Sequence, residues 1–294
     1  MTCSTLDGLA GCTLFFKCEN FQKVGAFKFR GACNAVMKLP DKVAQRGVVT
    51  HSSGNHAQAL ALAASTRGIT AHIVMPRTAP KVKQNAVAGY GGRIYLCEPT
   101  LKARHEMTAQ VVNATGAELI PPYDHPDIIA GQGTIALELL EQVDRLDAII
   151  VPVGGGGMIS GIAIAAKAIN PSIRIIAAEP AGADDVARSM AAGTLIEQVD
   201  PNTIADGLLT SLSERTWEII RDHVERVITV TDPEIIDAIR LVFERMKLVI
   251  EPSAAVGVAV ALHESFRALD GIKRVGVILC GGNVDLDRLP WMNV

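Results

Sequence analysis

The sequence predicts an α/β protein built on two open parallel sheets, and three observations carry that reading. Short apolar runs alternate with helical stretches along the chain, which is the βαβ rhythm of a parallel sheet. Several of these runs end in glycine-bearing loops that open a helix. Apolar residues make up 49% of the 294, enough to fill one large domain or two interleaved ones.

Taken in order, Thr13–Cys18 reads as a strand and 27–39 as a helix opening on Lys28 and Arg30, with 19–26 a loop between them. A short strand at 47–50 runs into His51-Ser52-Ser53-Gly54-Asn55-His56, after which 57–64 is strongly helical. Strands at 71–75, 93–96 and 117–120 alternate with helices near 80–88 and 101–113. Beyond Pro121-Pro122 come a helix at 131–143, a strand at 148–153, a helix at 158–169, a strand at 174–179 and a helix at 184–192. A polar crossing at 201–207 leads to a helix at Glu214–His223, a strand at 227–230 and a long helix at 233–247. A small-residue helix at 253–263 and a strand at 275–279, ending on Cys280-Gly281-Gly282-Asn283, complete the pattern. So many strands require two sheets. The expected division is a small mobile domain at 46–123 inserted into a larger one formed by 1–45 and 124–294.

Composition narrows the function. A net charge of −3, few aromatics and no long single-sign run argue against nucleic acid and anionic membrane as partners. The six cysteines form no CxxC pair and the seven histidines no HExxH, so neither zinc nor a disulfide framework is suggested. Reduced thiols in a cytoplasmic protein fit better, and residues Met1 to Ser4 do not begin a secretory signal. The uncharged stretch 148–166 is long enough to raise a membrane span, but Pro152 and four successive glycines would leave backbone groups unsatisfied in lipid.

Those glycines are the centre of the sequence. In Val151-Pro152-Val153-Gly154-Gly155-Gly156-Gly157-Met158 an apolar run stops, four glycines follow and a helical pattern begins. Such a loop points N–H groups inward beneath the positive end of a helix, which makes a phosphate cup. A turn that merely packs a helix closely on a strand needs one or two glycines rather than four. The dinucleotide fingerprint requires glycines at i, i+2 and i+5, and here the third position falls on Ile159 or Ser160. Glu179 sits where a ribose-binding acid would, so a nicotinamide oxidoreductase stays open as a rival of another class, as does a catalytically silent binder. The loops at 52–56, 154–157 and 280–283 all follow strands, the position of ligand crevices in open α/β sheets.

A phosphate cup together with a lysine that opens a helix points to a phosphorylated aldehyde cofactor held as a Schiff base. Gly25-Ala26-Phe27-Lys28-Phe29-Arg30-Gly31, Ser52-Ser53-Gly54-Asn55-His56, Gly154 to Gly157 and Gly281-Gly282-Asn283, in that order, resemble the fold-type II pyridoxal-phosphate enzymes, and among them the serine racemase and serine/threonine dehydratase family. The resemblance implies the tryptophan synthase β-like fold, with pyridoxal 5'-phosphate bound by the larger domain. It implies that Lys28 carries the cofactor, that Gly154, Gly155, Gly156, Gly157 and Met158 hold its phosphate, that Asn55 bonds its 3-hydroxyl and that Phe27 packs beside its ring. Cys280 stands where relatives set a serine or cysteine against the pyridine nitrogen, a neutral partner that favours loss of a β-leaving group.

Ser52, Ser53, Gly54, Asn55 and His56 are implied to seat the substrate carboxylate at a helix N-terminus, with Arg104 near the substrate carboxyl groups. The second serine separates racemases and hydroxyaspartate dehydratases, which read Ser-Ser-Gly-Asn-His, from threonine dehydratases, which commonly read Ser-Ala-Gly-Asn-His. Racemisation needs a proton carrier on each face of Cα, and Lys28 with Ser53 would supply the two. Glu179, the Ala183 carbonyl and Asp185 resemble a divalent-metal loop suited to Mg²⁺ or Ca²⁺, although a solvated acidic helix start matches the spacing equally well. Lys23, Lys247 and Asn283 match positions at which some relatives bind ATP, and Val24 replaces a threonine there.

The implied activity is serine racemisation with dehydration of L-serine, and of L-threonine, to a keto acid and ammonia. A threonine or threo-3-hydroxyaspartate ammonia-lyase is the alternative, and a homodimer is the implied assembly. Relatives carry a further N-terminal helix and strand ahead of the position of Met1, and no C-terminal regulatory domain follows Val294, so isoleucine-type feedback is not expected.

Overall fold

The computed structural model describes residues 1–292. Among the described residues nine strands form two sheets: β1 (Thr13–Cys18), β2 (Val48–His51), β3 (Ala71–Pro76), β4 (Arg93–Cys97), β5 (Glu118–Leu119), β6 (Ala148–Pro152), β7 (Arg174–Pro180), β8 (Arg226–Val230) and β9 (Arg274–Leu279). One sheet runs β1-β9-β6-β7-β8 and the other β4-β3-β2-β5. Every pairing within them is parallel. Strands covered on both faces carry near-continuous apolar runs, and here β6 is buried at all five positions, as is β3 at all six.

The chain divides into two compact units. The first comprises Met1–Ala26 with Gly133–Val294 and contains the five-stranded sheet. The second, Phe27–Gln132, contains the four-stranded sheet around Val49, Val74, Cys97, Val111 and Ala117. This unit is wider than the expected 46–123, and the reason is helix packing. The helix Lys28–Lys38 lies on the helix Asn55–Arg67. It also meets the start of the helix Pro126–Gln142 at a glycine pair, where a Cβ on Gly131 would stand 2.6 Å from the Gly31 Cα.

Three elements differ from expectation for identifiable reasons. The helix expected at 131–143 begins at Pro126, because proline at the first helical position lacks only an N–H the helix would leave unpaired anyway. The helix expected at 233–247 is α-helical only over Asp232–Leu241, then widens to a π turn at Val242–Met246 and stops at Lys247 with φ 59°. A short helix, Ser4–Ala10, was hidden by Gly8. It closes on Gly11 at φ 74°, and its Asp7 carboxylate accepts the Leu14 N–H at 2.8 Å. No helix among the described residues is long and apolar enough to cross a membrane; the uncharged stretch at 148–166 is β6, the glycine loop and part of the helix Gly157–Ile169.

Candidate active site

In the first unit, the loops after β1, β6, β7 and β9 leave the carboxyl edge of one parallel sheet. After β6 the four glycines turn the chain into Gly157–Ile169, a 13-residue helix with no acid in its first turn. The turn has no spare room. A Cβ on Gly154 would stand 2.9 Å from the Leu208 Cα, and one on Gly156, already at φ 83°, 2.8 Å from both Leu212 Cδ2 and Thr216 Cβ. With no side chains of its own, the loop at these glycines offers an anion backbone N–H groups and the helix dipole. One turn into this helix, the Ser160 hydroxyl is buried without a hydrogen-bond partner. A phosphate group fits this donor set.

The loop after β9 starts at Cys280, which is buried. Gly281 bridges to Ala26, and the Gly282 N–H donates to the Gly25 carbonyl at 2.9 Å. The Asn283 amide donates to the Val24 carbonyl at 2.8 Å. Val24 at φ 59° and Gly25 at φ 69° are successive left-handed residues, costly for a β-branched side chain, and they turn the chain toward Phe27 and Lys28. Asn283, expected to touch a nucleotide, therefore has a structural partner. Lys23 and Lys247 are exposed, and the Lys247 amine donates to the Glu244 carbonyl.

Glu251 is a residue the sequence reading missed. Its side chain is buried, its N–H donates to the Gly281 carbonyl at 3.0 Å, and a Cβ on Gly281 would stand 2.6 Å from its Oε1. The available signal was a lone acid in front of Pro252–Leu262, a helix without charge.

In the second unit, Lys28 is the first residue of its helix and is half-buried. Its amine donates to the Pro122 carbonyl at 2.7 Å and lies 5.0 Å from the centre of the Phe27 ring. The Pro122 carbonyl is a second partner that no local sequence pattern marks. At the end of β2, the Ser52 N–H extends the ladder to the Val74 carbonyl at 3.1 Å, and the Gly54 N–H donates to the Ser52 hydroxyl at 3.4 Å. The 13-residue helix Asn55–Arg67 opens there, with Ser53 and Asn55 half-buried beside Gly54.

His56 is buried, with Nε2 3.0 Å from the Ile120 carbonyl and Nδ1 without a partner. Burial, reinforced by the Lys28 charge, lowers its pKa to about 3. It is therefore neutral at physiological pH, carries its proton on Nε2, and can assist a carboxylate only by position. Arg104, expected near the substrate carboxyl groups, has a buried Nε without a partner. Its charge, after burial and His105, helps lower the pKa of His51.

The acidic loop after β7 belongs to the first unit. The Glu179 carboxylate is fully buried and accepts the N–H groups of Val186 and Ala187, both at 2.9 Å. Burial pushes its pKa up to about 8 against the pull of those two donors. Asp185 is also buried, with its pKa raised by burial, and accepts the Leu212 N–H at 3.1 Å. Asp184 instead pairs with Arg188 at 2.7 Å. No group of three or more His, Cys, Asp or Glu side chains that could hold a metal occurs among the described residues. A cation here would take two carboxylates, a carbonyl such as that of buried Ala183, and water.

A phosphate cup at the edge of a parallel sheet, and a lysine opening the helix that follows the β1 loop, define an α/β enzyme of phosphorylated-cofactor chemistry. Residues 1–281 match the family model described as pyridoxal-phosphate dependent enzyme. The chain is 54% identical over 292 residues to a serine racemase of Arabidopsis thaliana, covering 98% of this chain and 88% of the relative. It is 52% identical over 290 residues to a beta-hydroxyaspartate dehydratase of Paracoccus denitrificans (strain Pd 1222), covering 99% and 91%. The solved structure of maize serine racemase superposes with a TM-score of 0.96 at 52% identity, covering 98% and 88%. The chain belongs to the pyridoxal-phosphate dependent enzymes, in their racemase and ammonia-lyase branch.

Proposed function

We propose that the protein interconverts L- and D-serine and also dehydrates L-serine, and L-threonine, to the keto acid and ammonia. The observation that carries this is the Ser52-Ser53-Gly54-Asn55-His56 loop in a chain more than half identical to serine racemases along nearly its whole length. The cofactor supplies an electron sink for charge developing at the substrate Cα. Gly154 to Gly157 and Met158 would hold its phosphate, Asn55 would bond its 3-hydroxyl, Cys280 would be the neutral partner of its ring nitrogen and Phe27 would pack beside its ring. Lys28 carries it and moves the Cα proton on one face; Ser53 holds the proton on the other. The helix opening at Asn55 receives the substrate carboxylate through Ser52, Ser53 and Gly54, with neutral His56 beneath and Arg104 toward the carboxyl groups.

Glu179, the Ala183 carbonyl and Asp185 would hold Mg²⁺ or Ca²⁺, whose charge would offset the burial of two adjacent carboxylates. Lys23, Lys247 and Asn283 are the positions through which ATP would act, and the working assembly is a homodimer. A second reading is a threo-3-hydroxyaspartate or threonine ammonia-lyase, and the beta-hydroxyaspartate dehydratase of Paracoccus among the relatives favours the first of these substrates. Initial rates on L-serine, D-serine, L-threonine and threo-3-hydroxyaspartate decide between them. D-serine formation from L-serine supports the first reading; turnover of hydroxyaspartate alone overturns it.

A further inference from the structure

The acidic loop and the phosphate cup share a wall. Segment 202–216 is anchored on the acidic side at two points: the Asn202 N–H donates to the Gly182 carbonyl at 2.8 Å, and the Leu212 N–H donates to Asp185 Oδ2 at 3.1 Å. Its other face backs the cup. Leu208 stands behind Gly154, while Leu212 and Thr216 stand behind Gly156 at distances that leave no room for one more carbon. Two further contacts keep the segment from slackening. The Ser253 hydroxyl accepts the Gly207 N–H at 3.0 Å, and Ser213 with Thr216 forms a reciprocal cap at the start of the helix Glu214–His223. Leu212 joins the two sides through separate parts of itself: its N–H faces Asp185 and its Cδ2 faces Gly156. Close-packed elements of this kind transmit a shift rather than absorb it.

We propose that Leu212 is a positioning residue that couples the acidic loop to the phosphate cup, so that a divalent cation at the loop tightens binding of the cofactor phosphate. This rests on the cation reading given above. The coupling is reciprocal, since each ligand must raise the other's affinity by the same factor, and about five-fold or more is expected.

Equilibrium dialysis of the holoenzyme against falling free pyridoxal 5'-phosphate, with Ca²⁺ or with EDTA, measures cofactor retention from the bound cofactor's visible absorbance. Melting temperature, read in parallel, reports whether Ca²⁺ binds. Wild type should hold cofactor about five-fold more tightly in Ca²⁺. Leu212→Ala keeps the backbone N–H for Asp185 and loses the side chain behind Gly156. It should therefore retain the Ca²⁺ shift in melting temperature and lose most of the gain in cofactor affinity. Should that variant fail to fold, Leu212→Val trims the same contact more gently and should show an intermediate gain. A Ca²⁺ melting shift with unchanged cofactor affinity in wild type overturns the coupling and leaves the cation site standing. An undiminished gain in a folded Leu212 variant overturns the route. No Ca²⁺ binding of any kind overturns the coupling together with the cation reading.

Discussion

Two glycine-bearing loops, one in each unit, follow strands and open 13-residue helices, yet their surroundings are opposite. At Gly154 and Gly156 an added Cβ would collide with Leu208, Leu212 and Thr216. At Gly54 it would meet nothing within 4 Å, and the residues from Ser52 to Asn55 are only half-buried. The cup is thus fixed by packing before any ligand arrives, as a permanent phosphate anchor requires. The 52–55 loop keeps open space, as the proposed seat of a substrate that enters and leaves on every turnover would need. Glycine serves shape in the first loop and access in the second.

The largest expected effect tests the chemistry proposed for both loops. Lys28→Ala removes the amine proposed to carry the cofactor and to act as the base on one face of the substrate, and should lower every turnover rate by about 10³-fold or more. Initial rates of D-serine and pyruvate formation measure this, and near-normal pyruvate production would contradict the assignment of Lys28.

Next comes the contrast between the glycines. Gly156→Ala forces a side chain into the left-handed region and against Leu212 and Thr216, costing roughly 3 kcal/mol and much of the cofactor affinity. Gly54→Ala meets open space and should change stability by no more than about 0.5 kcal/mol. Denaturant melts of the two variants measure both. Equal losses would mean that the 52–55 loop is as tightly backed as the cup.

Much of this was legible in the sequence because it depends on local patterns. The buried strands β6 and β9 announce themselves as apolar runs, and the four glycines and the lysine at a helix start are chemistry written in order. What stayed hidden depends on partners distant in sequence. Glu251 looks like any acid before a proline until Gly281 is seen against its carboxylate, and Pro122 is an unremarked turn residue until the Lys28 amine reaches its carbonyl. The burial of Glu179 and Asp185 was equally unreadable, since an acidic helix start has the same spacing whether it is solvated or enclosed. One edge of the second unit falls inside the helix Pro126–Gln142, where no composition shift marks it.

Ser53 sharpens the comparison from the substrate side. Dehydration of L-serine needs a base on the Lys28 face and an acid for the leaving hydroxyl, whereas racemisation needs a proton carrier on both faces. Ser53→Ala should preserve most pyruvate formation from L-serine while lowering D-serine formation, and consumption of D-serine, by about 10²-fold. Proportional loss of all these rates would make Ser53 a structural residue of the loop instead.

The smallest effect concerns the floor of the open loop. His56 has Nε2 on the Ile120 carbonyl and a buried, unpartnered Nδ1, so a second proton would create an unpaired buried charge close to Lys28. Its folded pKa of about 3 lies below the ordinary value of 6.5. Above pH 6.5 neither the folded nor the unfolded chain protonates the ring, and the contribution to stability is fully present. Between 6.5 and about 3 the unfolded chain takes up a proton that the folded one refuses, so stability falls with pH at up to about 1.4 kcal/mol per unit. Below about 3 both states are protonated and the loss levels off. His56→Gln keeps a polar side chain that does not titrate. It should be less stable than wild type at pH 7.5, because the fit to Ile120 is poorer, yet it should lose less stability on going to pH 5.5. Urea melts at the two pH values give the difference directly, and equal pH slopes for the two proteins would show that His56 already carries its second proton in the folded state.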